Sequence, residues 1–450
     1  LLFDVAPRAA QPFRMLRARA TACCLALLAG CAGLDPLTRA ESERLETFDF
    51  YWQRLADDYP LFGAQKIDWN ELRARYRAAV PFAQRPHEFY HLLTGMLSEL
   101  GDLHVSLLVP DARFAQDGVD ATSLLDVEDF ELMPIEGRLH VVSWPAQQAP
   151  PQPDGVPARA VYPELWRVNG FPVVLSLVGN LLLGPPGSPV ELQLRWRNGS
   201  VTRHVMSRPP AGTAQQNSVL SFLARGSAAK APHRDSFRWI EIAHFDDDAS
   251  TAKIEAEVDD ARGADGLVID LRRNLGGRYA MAKSLGERFL REPVDLVLVP
   301  RHPTSSWFGL VKVEVFVNDP WRPRQPVFDK PVVLLTSAMT GSAAEHLARI
   351  LQRYAGAVVV GERSAGAEAV LQEETGPDGS ELRFGSMRLV DRTGVGLQRE
   401  GVVPDVSLRL TVADVERLGP AEALAEWDRR LAAAAERVLT ARRDAGTPVR

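Results

Sequence analysis

The sequence predicts an α/β protein with an N-terminal helical domain, a β-rich insert and a larger core of alternating strands and helices. Three observations carry that prediction. Apolar residues recur at helical spacing between residues 38 and 100. Short strand-like runs, with a hairpin turn at Asn198-Gly199, occupy residues 111–210. From residue 237 onward, apolar strands alternate with amphipathic helices. The composition agrees. The 450 residues are 46% hydrophobic and 24% charged, the proportions of a globular protein. The net charge of −6 argues against a nucleic-acid partner, which needs a basic face.

The elements are justified in chain order. Residues 1–31 read as an address. Arg17 and Arg19 precede an apolar run from Ala22 to Gly30, and small residues close it. The run is too short to cross a bilayer core of ~30 Å. Residues 1–14 precede Met15 and fit no leader pattern, so the reading starts the leader at Met15. Leu28-Ala29-Gly30-Cys31 resembles the bacterial lipobox, which implies a lipid-anchored Cys31 and a place in the bacterial cell envelope. All three cysteines, Cys23, Cys24 and Cys31, fall in this segment, so the rest holds no disulfide and no thiolate metal site.

The helical domain spans 38–110. Phe48, Trp52, Leu55 and Tyr59 share a helical face, as do Leu72, Tyr76 and Val80. A further helix from Phe89 to Leu100 ends at Gly101. The β-rich domain spans 111–210, with strands over 139–143, 164–168, 190–196 and 201–206. Its segments Trp166–Val173 and Gly184–Val190 resemble the second half of a PDZ domain. Residues 211–236 are polar and read as a linker. The core follows over 237–410, and 411–450 is dominated by one helix, about 413–442.

Four segments carry candidate chemistry. Pro331–Thr336 is an apolar strand that runs through a small-residue turn into a helix at Ala343. Ser342 at that junction has two readings. It is an N-cap completed by Glu345, or a nucleophile whose oxyanion meets backbone N–H groups and the helix dipole. Gly266–Leu271 is a buried strand ending at Asn274-Leu275-Gly276-Gly277, where glycines let N–H groups face a ligand. His104, in Gly101-Asp102-Leu103-His104, follows a helix at a domain junction and is a candidate general base. His346 is a lesser rival, since its own helix holds it away from Ser342. Glu400, in Glu400-Gly401-Val402, is a candidate orienting carboxylate or an ordinary hairpin residue.

Taken in order, these segments resemble the family of C-terminal processing and tricorn-type serine peptidases. The matching run is Asp102-x-His104, the PDZ-like insert, Asp270-x-Arg272-x-Asn274-x-Gly276-Gly277, Ser342-Ala343-Ala344-Glu345, Val359-Val360-Gly361-Glu362 and Glu400-Gly401-Val402. The resemblance implies a core of the Clp protease/crotonase type and acyl transfer at a peptide bond. Ser342 is then the nucleophile, His104 its base and Glu400 the third member. The N–H groups of Gly276 or Gly277, with that of Ala343, form the oxyanion hole. No metal or organic cofactor is implied. One branch of the family uses a lysine, and Ala367 occupies its place here. The tricorn-like branch uses Ser, His and Glu, with a second serine beside the histidine where this chain has Leu103.

Two functions follow. The first is an envelope serine peptidase acting on a peptide or protein. The second is an inactive binder of peptides or apolar ligands on the same fold. The sequence leaves the oligomeric state open.

Overall fold

The computed structural model describes residues 36–59, 67–116, 118–119, 130–145, 147–156, 162–208, 236–246, 248–300, 304–306, 311–313, 317–367, 369–391 and 401–445. The leader with Cys31, nearly all of the expected linker and Glu400 lie outside them.

The N-terminal part holds α1 (Pro36–Asp58), α2 (Trp69–Ala79) and α3 (Pro86–Ser98), then β1 (Ser106–Leu108) and the short α4 (Asp111–Ala115). Asp68 starts α2 by accepting the Glu71 N–H, and proline opens α3, where its missing donor costs nothing. Phe48, Tyr51, Leu55, Leu93 and Met96 form the heart of this layer.

The β-rich part contains β2 (Glu131–Ile135), β3 (Arg138–Ser143), β4 (Glu164–Val168), β5 (Phe171–Pro172), α5 (Val178–Leu182), β6 (Pro189–Arg195) and β7 (Val201–Ser207). They make an antiparallel sheet in the order β2-β3-β4-β6-β7, with β5 on β4. In β6, Val190, Leu192 and Leu194 alternate inward with partly exposed neighbours, as one covered face requires.

The core runs β8 (Phe237–Glu241), α6 (Asp248–Asp260), β9 (Gly266–Asp270), α7 (Tyr279–Gly286), β10 (Leu296–Pro300), β11 (Thr304–Ser306), β12 (Val311–Val313) and β13 (Val317–Asn318). It continues with β14 (Val332–Thr336), α8 (Ala343–Tyr354), β15 (Val358–Gly361), β16 (Val370–Thr375), β17 (Glu381–Asp391), β18 (Val406–Ser407), α9 (Val412–Leu418) and α10 (Pro420–Asp444). The central sheet, β18-β15-β14-β9-β8, is wholly parallel. Leu267, Ile269, Leu334 and Val359 face α7 and α8. Val268, Val333, Leu335 and Val360 face Trp427, Leu431, Ala435 and Leu439 of α10. Burial on both faces explains why β9 and β14 are continuously apolar.

A second sheet, β1-β17-β10-β13 with β16 on β17, joins the core to the helical part. Its β16–β17 turn is gripped there. The Tyr51 hydroxyl donates to the Ser380 carbonyl (2.6 Å), Tyr90 donates to the Asp378 carboxylate (2.6 Å), and Arg113 donates to the Asp378 carbonyl (2.8 Å). The single helix expected over 413–442 is two. Gly419, at φ 80°, ends α9, and Pro420 begins α10.

Candidate active site

Ser342 sits where β14 turns into α8. Its backbone is at φ 51° and ψ −123°, a region that a side-chain-bearing residue adopts only when its surroundings enforce it. The enforcement is visible. The Ser342 N–H is shared between the Ala367 carbonyl (2.9 Å) and the Glu345 carboxylate (3.1 Å). Glu345, accepting that N–H, closes the reciprocal half of a capping box at the start of α8. The geometry accommodates both readings of this serine, cap and nucleophile.

Glu345 is the residue that sequence reasoning undervalued. It is fully buried. Its carboxylate accepts from Ser342 N–H, from the Ser364 hydroxyl, from Gly366 N–H (2.7 Å) and from Ala367 N–H (2.7 Å). Burial pushes its acid strength down, to a pKa of about 7, against the pull of those donors. Its signal in the sequence was the Ser-x-x-Glu spacing, which pointed to a helix cap. It closes that cap and also ties residues 364–367 to the serine turn.

The Gly-Gly turn lies directly against this serine. A Cβ on Gly276 would stand 2.5 Å from the Ser342 Cβ and 3.2 Å from the Ala343 nitrogen. The expectation for Gly276 as an oxyanion donor is corrected, because its N–H donates to the Asn274 side chain (2.8 Å). Asn274 in turn donates to the Ile242 carbonyl (3.0 Å), so the turn is pinned to the strand region before it. The Gly277 and Ala343 N–H groups have no protein acceptor among the described residues. Gly277, at φ 125°, is pressed against the Phe245 backbone, where no side chain fits.

His104 lies in the turn between α3 and β1, buried to 9% exposure. The β1–β17 ladder, Ser106 opposite Arg383, fixes that turn. The His104 ring packs on β17, with Nδ1 3.7 Å from where a Gly385 Cβ would be, beside Ala369. Ala369 follows closely on Ala367, whose carbonyl holds Ser342. His346 is fully buried in α8 against Tyr279, its ring centroid 5.5 Å from the tyrosine's. Burial pushes its pKa down to about 3, with His104 acting in the same direction. Of the sequence-selected residues, Ser342, Ala343, Gly276 and Gly277 come together directly, and His104 packs on β17 at Gly385. Gly401, next to Glu400, contacts Ser364 and accepts from Arg349 (2.8 Å).

A cleft of about 650 Å³ opens beside this assembly. Its walls come from Asp102 and Leu103, from Leu165 and Val174 of the β-rich part, and from Met339 and Ala365–Ala367. All three parts of the chain thus border one space, lined mainly by apolar side chains. Such a cleft suits an extended polypeptide.

Fold, strained serine and paired N–H groups define a serine-type peptidase with a Clp protease/crotonase-like core. The pattern of Peptidase family S41 matches residues 238–408, and that of the Tricorn protease C1 domain matches residues 40–98. The chain is 27% identical over 355 residues to the chloroplastic C-terminal processing peptidase of Tetradesmus obliquus, covering 76% of this chain and 72% of that one. It is 24% identical over 330 residues to a carboxyl-terminal-processing protease of Picosynechococcus sp., covering 72% and 75%. The crystal structure of mature CPAF superimposes with a TM-score of 0.53 at 12% identity, over 86% of this chain and 96% of that one. By family pattern and by relatives, the chain resembles the C-terminal processing and tricorn-type serine peptidases.

Proposed function

We propose that the chain hydrolyses peptide bonds through a Ser342–His104–Glu400 acyl-enzyme mechanism. The observation that carries this is Ser342 itself, strained at φ 51°, beside two N–H groups without protein acceptors among the described residues. His104 takes the Oγ proton as Oγ bonds to the substrate carbonyl carbon. The carbonyl oxygen becomes an oxyanion held by Gly277 and Ala343, and losing one such donor costs roughly 2.7–4 kcal/mol of barrier. His104 then protonates the leaving amine as the C–N bond breaks, and water releases the acyl group by the reverse steps. Ala367 presents only a methyl group where the lysine-using branch carries its base, which favours the histidine route.

The names of the relatives support cleavage near a substrate's C-terminus. The β-rich part, read as a PDZ-like module bordering the cleft, suits capture of an extended chain. The lipobox-like Leu28–Cys31 supports a lipid-anchored protein of the bacterial envelope. The test is fluorophosphonate labelling of the full chain, mapped by mass. One adduct on Ser342 is expected, absent in S342A and slowed about 10²- to 10⁴-fold in H104A. Folded protein that takes no adduct, or labelling indifferent to His104, would leave the chain a binder of peptides or apolar ligands.

A further inference from the structure

We infer that Asp102 is a positioning residue for His104, the carboxylate that orients the catalytic imidazole and balances its charge when it takes the serine proton. The inference rests on the Ser342–His104 reading above and adds a residue to it.

The geometry is local and specific. Asp102 stands two residues before His104, and its Oδ1 accepts the His104 backbone N–H at 2.9 Å. This bond closes a tight side-chain turn that sets the direction in which His104 leaves the backbone. The same Oδ1 lies 3.9 Å from His104 Nδ1, and the two side chains are only 11% and 8% exposed. At that distance and burial the contact is electrostatic, and solvent screens it little. The other oxygen, Oδ2, accepts the Tyr59 hydroxyl at 2.9 Å, from the residue that follows α1. Asp102 is therefore held at both oxygens, one by the turn and one by the helical domain.

The groups facing the imidazole from each packed element are few. Tyr59 comes from the end of α1, His346 from α8, and Gly385 and Ala369 present no titratable group. Against these, Asp102 brings a negative charge that favours an imidazolium at His104. Asp102 also lines the cleft. Substrate binding would exclude water from that wall and strengthen the pair at the moment His104 becomes charged.

The experiment is the second-order rate of fluorophosphonate labelling of Ser342 against pH, in the full chain. The variants are D102N, D102S, Y59F and E400Q, each with a thermal melt. Asparagine keeps an oxygen for the His104 N–H and a polar group for Tyr59, and serine keeps the turn, so both remove charge while sparing geometry. D102N and D102S should slow labelling about tenfold or more. Both should move the acid limb of the profile to lower pH, because a neutral imidazole then persists further into acid. Y59F retains the charge and should leave the limb in place. A rate and a limb unchanged in folded D102N or D102S would overturn the inference. So would a limb that moves only in E400Q, which would make Glu400 the sole partner. Wild type that takes no label on Ser342 would instead defeat the peptidase mechanism itself, a separate result.

Discussion

At Gly276 the serine turn depends on one missing carbon. A Cβ there would sit 2.5 Å from the Ser342 Cβ and 3.0 Å from the Gly341 carbonyl oxygen, at a φ of 115° that side chains rarely adopt. Neither neighbour is a flexible side-chain end, so relief must come from the backbone that holds the nucleophile. G276A is expected to destabilise the fold by about 2 kcal/mol and to slow Ser342 labelling by on the order of 10²-fold. Urea denaturation and labelling rate check the two parts. Labelling at the wild-type rate would show that the turn is not part of the machinery. The sequence made the glycine pair legible because few turns need two glycines. It did not show which N–H is free, because Asn274 takes the Gly276 N–H through a side-chain conformation that spacing does not encode. Glu345 was read as a cap and no more for a similar reason. Its cap-like spacing is local, whereas three of its four donors come from residues 364–367.

At the scale of elements, β9, which leads into the Gly-Gly turn, is anchored by the C-terminal helix. Arg272, just past β9, is 5% exposed. It donates to both oxygens of Asp270, at 2.9 Å to Oδ1 and 2.6 Å to Oδ2, and to Asp428 of α10. Burial opposes its charge, and the two carboxylates more than restore it. Its guanidinium also lies 5.1 Å from the Trp427 ring. The Arg272 carbonyl accepts the Ser337 hydroxyl, so the pair reaches into the turn after β14. D428N leaves a buried arginine with one carboxylate and is expected to cost about 3 kcal/mol, the lower end for breaking such a pair. Chemical denaturation measures it, and a loss below about 0.5 kcal/mol, the size of a surface change, would mean that α10 only covers the sheet. The core strands were readable because two-sided burial writes itself as unbroken apolar runs. Strand β2 was not, since Pro134 interrupts it, and β16 carries Gln372, Glu373 and Glu374 in sequence. Asp428 could not be assigned either, because its partner is far away in sequence.

Across the described residues, three buried groups with large shifts weigh most on how stability responds to pH, while burial also lowers His140 and raises Glu362. Burial pushes the pKa values of His91 and His346 down to about 3, from 6.5. His91 is then neutral and can donate Nε2–H to the Leu183 carbonyl (2.8 Å), joining α3 to the β-rich part. Burial pushes Glu345 up to about 7, from 4.5. Between pH 4.5 and 6.5 the unfolded chain takes up protons at both histidines, while the folded chain keeps one at Glu345. The histidine contribution is present above 6.5 and lost as pH falls. The Glu345 contribution has the opposite sign, present below 4.5 and lost as pH rises through 7. The unfolded state binds the larger share by about one proton, so these groups make stability rise with pH by about 1.4 kcal/mol per unit, levelling near pH 7. Urea titrations of wild type and H346F between pH 5 and 7 test this. Removing one histidine takes one unfolded-state proton away, so the H346F slope should be lower than that of wild type by about 1.4 kcal/mol per unit. A slope equal to that of wild type would show that His346 binds its proton in the folded chain as readily as in the unfolded one. That would in turn require α8, the helix that carries Ser342, to admit water to the back of the catalytic site.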